Sequence, residues 1–278
     1  MRNRLSLCRM PGAILLLAGL AACGGAPAAR STDTPAAPTA KTELPSQTPA
    51  PADAKTVEKV AGQIAWLRSA NQYGSTAIKL ESDGKAIYLD PVDLAGLESL
   101  PKADLILITH DHADHLSLKT VAALSTPDTV AVSTPTIRNS LANLKAFAVK
   151  PGETVEADDW RIRGVAAYND SHLKQLGYLG FVFRVEGVTV YCSGDTGLTP
   201  EMLALRGIDI AVLNVRKPYS LSGADVVAFA SEVKPKIVIP VHWIPGDTAF
   251  GDEIEMEYLR QNMPAATSLR ILELTPPE

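Results

Sequence analysis

The stretch Leu105-Ile106-Leu107-Ile108-Thr109-His110-Asp111-His112-Ala113-Asp114-His115 decides how this chain is read. Its first four residues form an unbroken apolar run, the pattern of a strand covered on both faces, and the polar cluster follows at the strand's end. In extended chain alternate residues project to one side, so His110 and His112 can share a cation, while the following turn can carry Asp114 and His115 to a second. Three histidines and two aspartates within six residues would be a costly concentration of polar groups at a strand end without a metal. Imidazole and carboxylate suit zinc, the leading expectation, and are compatible with manganese and iron.

Around this cluster, short β-rich runs alternate with helical patterns. Ala77 to Leu80 and Ala86 to Leu89 flank Ser82-Asp83-Gly84, and Phe181 to Val185 and Val188 to Tyr191 flank Glu186-Gly187; both read as hairpins. The runs Ile208 to Leu213 and Ile237 to Val241 are continuous and apolar, like Leu105 to Thr109, and helical stretches cover Ser222 to Val233 and Asp252 to Asn262. The expectation is an α/β (α+β) fold of two mixed sheets packed together and flanked by helices. At 46% hydrophobic and 21% charged residues, the 278-residue chain is globular rather than disordered or multi-span. The other two histidines, His172 and His242, each stand where an apolar run meets a loop, and Asp195 lies in Cys192-Ser193-Gly194-Asp195-Thr196-Gly197, directly after the second hairpin. Cys192 reads as a small core residue.

These motifs, in this order over residues 60 to 275, resemble the metallo-β-lactamase superfamily, whose first signature is His-x-His-x-Asp-His after a strand. The resemblance implies an αββα sandwich with its site at one edge. It further implies that His110, His112 and His172 bind a first metal, that Asp114, His115 and His242 bind a second, and that Asp195 bridges the two. Ala167-Tyr168-Asn169, His172-Leu173-Lys174-Gln175-Leu176-Gly177-Tyr178 and Ser193-Gly194-Asp195-Thr196 are similar to the branch containing the ascorbate-6-phosphate lactonase and N-acylphosphatidylethanolamine phospholipase D. True zinc β-lactamases usually lack a histidine at the place of His115, and diiron oxygen reductases usually carry glutamate at that of His112. Both β-lactam hydrolysis and redox chemistry are accordingly demoted.

Two divalent cations about 3.5 to 4 Å apart can hold a bridging hydroxide and polarise the bond it attacks, so the expected reaction is hydrolysis of an ester, lactone or phosphodiester bond in a small-molecule or lipid-like substrate. Asp114 and Asp195 are the expected catalytic carboxylates, Asp114 as a proton shuttle. Asp111 and Asn169 are candidates to orient imidazoles. In Asn214-Val215-Arg216-Lys217-Pro218-Tyr219 the side chains of Arg216, Lys217 and Tyr219 are candidate substrate contacts, with an anionic group as their target. The alternative class is an envelope lipoprotein that binds metal without turnover. No basic stripe marks a nucleic-acid site, and no oligomer is assigned.

The N-terminal residues carry an address. Arg2, Arg4 and Arg9 precede the apolar run Ala13 to Leu20, a signal peptide over residues 1–22. Leu20-Ala21-Ala22-Cys23 resembles the lipobox of bacterial lipoproteins, which implies cleavage before Cys23 and its lipidation. Several acyl chains, at about 0.8 kcal/mol per buried CH₂, make a stable membrane anchor. Gly24 at the next position favours the outer membrane, facing the periplasm, if the source is Gram-negative. Residues 23–56, rich in Ala, Pro and Thr, read as a lipidated cysteine on a mobile tether, and residues 57–278 as the hydrolase domain. Removing residues 1–22 takes away three arginines and no acid, moving the formal charge from −5 to −8.

Overall fold

The computed structural model describes residues 52–70, 74–94, 96–247 and 249–275; the expectations for residues 1–22, for Cys23 and for most of the tether lie outside them. The first helix, α1 (Ala54–Gly62), takes in the last three residues read as tether, because the Asp53 carboxylate accepts the Thr56 amide at 2.9 Å and starts a helix that buries Val57, Val60 and Ala61. A first sheet follows from β1 (Ile64–Leu67), β2 (Ile78–Ser82), β3 (Lys85–Leu89), β4 (Leu105–Leu107), β5 (Val130–Ser133) and β6 (Lys145–Ala148). A second comprises β7 (Thr154–Ala157), β8 (Trp160–Ala166), β9 (Leu179–Val185), β10 (Val188–Cys192), β11 (Ile210–Asn214), β12 (Ile237–Val241) and β13 (Ser268–Leu269). A last strand, β14 (Leu274–Thr275), returns beside β1. The orders are β14-β1-β2-β3-β4-β5-β6 and β13-β12-β11-β10-β9-β8-β7, seven strands each among the described residues.

Both expected hairpins form. Asp83-Gly84 and Glu186-Gly187 each supply two consecutive positive φ values (52° and 70°; 47° and 81°), the geometry a two-residue turn needs to match strand twist. The sheets are mixed: β1, β2 and β3 pair antiparallel, β3 to β6 parallel, β7 to β10 antiparallel, and β10 to β13 parallel.

Alternation along the strands divides the apolar residues between two cores. Ile87, Leu89, Leu105, Leu107, Val130 and Val132 face the second sheet. Ala86, Tyr88, Ile106, Ile108 and Ala131 pack outward with Val121 and Leu124 of α2 (Leu118–Leu124) and Ile137 of α3 (Pro135–Arg138). On the other side α4 (Pro200–Leu203), α5 (Gly223–Val233) and α6 (Asp252–Asn262) cover the second sheet, where Phe229 lies 5.9 Å from Tyr191 between ring centroids. The result is the expected helix–sheet–sheet–helix sandwich. Because β3 and β4 run parallel, and β10, β11 and β12 likewise, the loops leaving their C-terminal ends gather at one edge.

Candidate metal centre

All five histidines stand at strand ends: His110, His112 and His115 after β4, His172 between β8 and β9, and His242 after β12. His110, His112 and His172 each offer a ligand atom within 4.8 Å of the others, as do Asp114, His115 and His242, and a third such group joins His110, His115 and Asp195. Asp195, buried after β10, reaches both triads: its Oδ2 lies 3.4 Å from His115 Nε2 and 3.8 Å from His172 Nε2, and its Oδ1 3.7 Å from His242 Nε2. The glycine before it has no substitute, since Gly194 takes φ 61° and a Cβ there would meet the Leu179 carbonyl oxygen at 2.6 Å.

Residues without metal-binding signatures aim these side chains. Asp90, at the end of β3, accepts the Thr109 backbone N–H at 2.7 Å, the Thr109 hydroxyl at 2.7 Å and His115 Nδ1 at 2.8 Å. A carboxylate only accepts, so His115 donates from Nδ1 and turns the Nε2 lone pair toward the cavity. The Thr109 hydroxyl, donating to Asp90, accepts from His110 Nδ1 at 3.0 Å, leaving Nε2 of that ring as its ligand atom. Asn169 meets its expected part: its Oδ1 lies 3.1 Å from His172 Nδ1. Asp111 instead accepts the Tyr178 hydroxyl at 3.1 Å, and that ring packs 4.8 Å from His110. Asn214 Nδ2 and Ser220 Oγ donate to Asp195 Oδ1 at 2.8 and 2.7 Å. Asp90, Thr109, Asn214 and Ser220 escape a sequence reading because their partners lie across the chain; an aspartate closing an apolar strand just before Pro91 was the one visible signal.

The electrostatics favour cations. Burial disfavours charge on Asp195, yet His242 and His115 together hold its carboxyl well below the usual carboxylate range. Burial likewise opposes charge on His115, but Asp195 and Asp90 outweigh it and draw that imidazole well above its ordinary value. His110, buried and close to His115, is pushed down to about 2 and stays neutral. Its Nε2 is buried with no hydrogen-bond partner, while His115 Nε2 faces His242 Nε2 at 3.2 Å and His172 Nε2 faces His112 Nδ1 at 3.4 Å. Ring nitrogens that converge on one another beside carboxylates are what divalent cations satisfy, a cation taking the place of the proton on His115, and the residues present fit them.

A cavity of about 860 Å³ opens above this floor, lined by His112, Asp114, His172, Asp195 and His242 together with Ser69, Gly74, Ser75, Ala113, Ser171, Arg216 and Tyr219. The three expected substrate contacts part company here. Tyr219 lines the cavity, half exposed. Lys217 is not among the lining residues; its ammonium turns to Glu255 Oε1 at 3.1 Å, on α6. Arg216 lines the cavity but spends its charge on Asp252 at 3.0 Å and Asp247 at 3.8 Å, so neither cation offers the surplus positive charge read from the sequence.

A family model, the beta-lactamase superfamily domain, matches residues 70–242, more than half of the chain, and the chain belongs to that superfamily. Its relatives include UPF0173 metal-dependent hydrolases: one of Geobacillus thermodenitrificans is 29% identical over 191 residues, spanning 62% of this chain and 83% of its own, and one of Methanoculleus marisnigri is 29% identical over 205 residues, spanning 70% and 88%. A protein of Parabacteroides distasonis, named as a metal-dependent hydrolase, matches in crystal structure with a TM-score of 0.64 and 32% identity, over 76% of this chain and 93% of that one. Within the superfamily the chain stands among the metal-dependent hydrolases.

Proposed function

We propose that this protein holds two divalent cations, zinc foremost with manganese or iron compatible, and hydrolyses an ester, lactone or phosphodiester bond of a small or lipid-like substrate. The observation that carries the reading is the meeting of two ligand triads at one buried carboxylate, Asp195, on the floor of an open cavity. Two cations held there would supply a hydroxide nucleophile near neutral pH and polarise the oxygen of the bond attacked. Asp195 spans both triads and is held in place by hydrogen bonds from Asn214 and Ser220. Asp114, partly exposed and 3.5 Å from His242 Nε2, is the carboxylate placed to carry a proton between leaving group and solvent. Tyr219 offers its ring to the substrate at the cavity wall.

An apolar portion of the substrate is supported by the surface around the mouth. Of the large hydrophobic side chains exposed among the described residues, Tyr219 lines the cavity, Phe250 packs 6.1 Å from its ring, and Leu173 directly follows His172. At the opposite end the hairpin turns are polar, Asp83-Gly84 and Glu186-Gly187. Single exposed apolar residues are ordinary, but two aromatic rings packed together at a cavity wall offer an apolar contact. We place the protein in the bacterial envelope, anchored through Cys23.

Metal-loaded protein screened against lactones, phosphodiesters, thioesters and β-lactams should turn over one of the first two, and a variant carrying His110→Ala and His112→Ala should lose metal and turnover together. Full hydrolysis by a rigorously metal-free preparation would overturn the mechanism. For the anchor, labelled palmitate should enter the wild type and not Cys23→Ala; equal labelling refutes it.

A further inference from the structure

We infer that Arg216 is a positioning residue for the second ligand triad: it braces residues 242–247 and 249–252 so that His242 stays aimed at Asp114 and His115. The inference rests on the reading of His242 as a metal ligand. His242 is held at φ 73°, a left-handed conformation that costs a side-chain-bearing residue about 1–2 kcal/mol, so its surroundings must hold it there. On the N-terminal side they do so through the sheet, since the Val215 amide donates to the Val241 carbonyl at 2.9 Å. Beneath it, Gly74 lets a neighbouring backbone come close, for a Cβ there would overlap the His242 carbonyl oxygen.

On the C-terminal side the hold passes through Arg216. The Ile244 amide donates to Asp252 Oδ2 at 2.8 Å, and the same fully buried oxygen takes Arg216 Nη1 at 3.0 Å. The guanidinium also reaches Asp247, and it lies 4.7 Å over the Phe250 ring. One side chain thus grips the segment at Asp247, Phe250 and Asp252. The segment's other bonds are short-range, the Asp247 amide to the Ile244 carbonyl at 3.0 Å, the Ala249 amide to Asp247 Oδ1 at 2.8 Å and the Gly246 amide to Glu253 Oε1 at 2.8 Å, and none of them holds His242 itself, whose Nδ1 is buried without a hydrogen-bond partner, as is Trp243 Nε1. Two carboxylates around one guanidinium leave a local charge of the wrong sign for binding an anion, and a planar fork between two acids and a ring is the geometry of a brace. Because Arg216 belongs to the same loop as Ser220, which donates to Asp195, that loop sets both the shared carboxylate and the last histidine.

The test is a cobalt(II) titration of the full chain without substrate, followed by visible absorption. Wild type should take up two equivalents. His242→Ala should weaken the second and sets the scale for a lost ligand. Arg216→Ala should leave the first equivalent unchanged and weaken the second by about tenfold or more, while Arg216→Lys, which keeps a charge on Asp252, should return it to within about threefold of wild type. Should the alanine variant fail to fold, Arg216→Gln carries the same expectation. A second equivalent that binds normally without the arginine, yet weakly in His242→Ala, overturns the brace and leaves the ligand reading standing. Equal loss in Arg216→Lys and Arg216→Ala also overturns it, because it assigns the effect to lost packing. Normal binding by His242→Ala removes the ligand reading and the inference with it.

Discussion

Asp90 has no surface exposure and takes φ 47°, a left-handed position that aspartate tolerates better than most residues. Its two oxygens accept three donors, from the Thr109 amide, the Thr109 hydroxyl and His115. In Asp90→Asn either placement of the amide nitrogen sets N–H against N–H, at the Thr109 backbone or at His115, and in the second case the ring must surrender its Nε2 lone pair. Such a variant should lose about 1–3 kcal/mol of stability and about 10–100-fold in metal affinity at the His115 triad. Thermal melts and metal titration measure both, and wild-type affinity in a folded variant would remove Asp90 from the site. Gly74 makes a second residue-scale prediction. Gly74→Ala must displace the His242 carbonyl, with Arg216 Nη1 and Ile244 Cγ1 each only 3.1 Å from the added atom. The expected cost is about 1–3 kcal/mol, together with weakened metal binding at the triad that contains His242. A fully metallated, wild-type-stable variant would show that the loop yields without consequence.

At the scale of elements, α5 shows how local chemistry sets an end while burial holds the body. The Ser222 hydroxyl accepts the Asp225 amide at 3.1 Å, and the Asp225 carboxylate accepts the Ser222 amide at 2.9 Å, a reciprocal box at the helix start. Ser222→Ala should cost about 1 kcal/mol, lowering Tm by about 2–4 °C with metal content unchanged, because Val226, Phe229, Ala230 and Val233 still anchor the buried face. A far larger fall, or loss of metal, would mean that the cap supports the site as well. The runs at β12 and α6 were readable to their ends, since their apolar or helical pattern stops where the structure stops. The run from Ile208 shifted: β11 starts only at Ile210, after Asp209 uses its carboxylate on the Thr189 amide at 2.9 Å and its carbonyl on the amides of Lys236 and Ile237. Those bonds tie neighbouring strands together, and no pattern within the run contains them.

Across the whole molecule, the site joins loops from both sheets, so a bound cation acts on global stability and not only on one loop. Ligand at about 100 times its Kd contributes about 2.7 kcal/mol to the folded state, which for a domain of this size is about 5–10 °C in Tm. Chelation followed by calorimetry should show that fall and its reversal on adding zinc; an unchanged Tm would mean that the folded chain holds no tightly bound cation. The same joining explains why ligands from distant parts of the sequence share one edge. Parallel strands deliver their C-terminal loops to one edge, and whatever those loops carry is gathered there.

Sequence alone determined the hairpins, the alternation of strands and helices, and the cluster from His110 to His115, because each rests on neighbours a few residues apart: a two-residue turn, a period, a strand end crowded with ligands. It also singled out Asp195, His172 and His242, though only the order of motifs in a known family linked them to that cluster. Tertiary structure decided who holds whom. Asp90 and His115 are 25 positions apart, Arg216 and Asp252 are 36, and Asn214 and Thr76 are 138. Lys217 pairs with Glu255 inside α6 while Arg216, next to it, holds Asp252 at that helix's first residue and Asp247 in the loop before it, although both read as cations beside a metal site. A side chain's charge is written in the sequence, but its partner depends on which loops the folded sheets bring together, and on whether burial makes that partner obligatory.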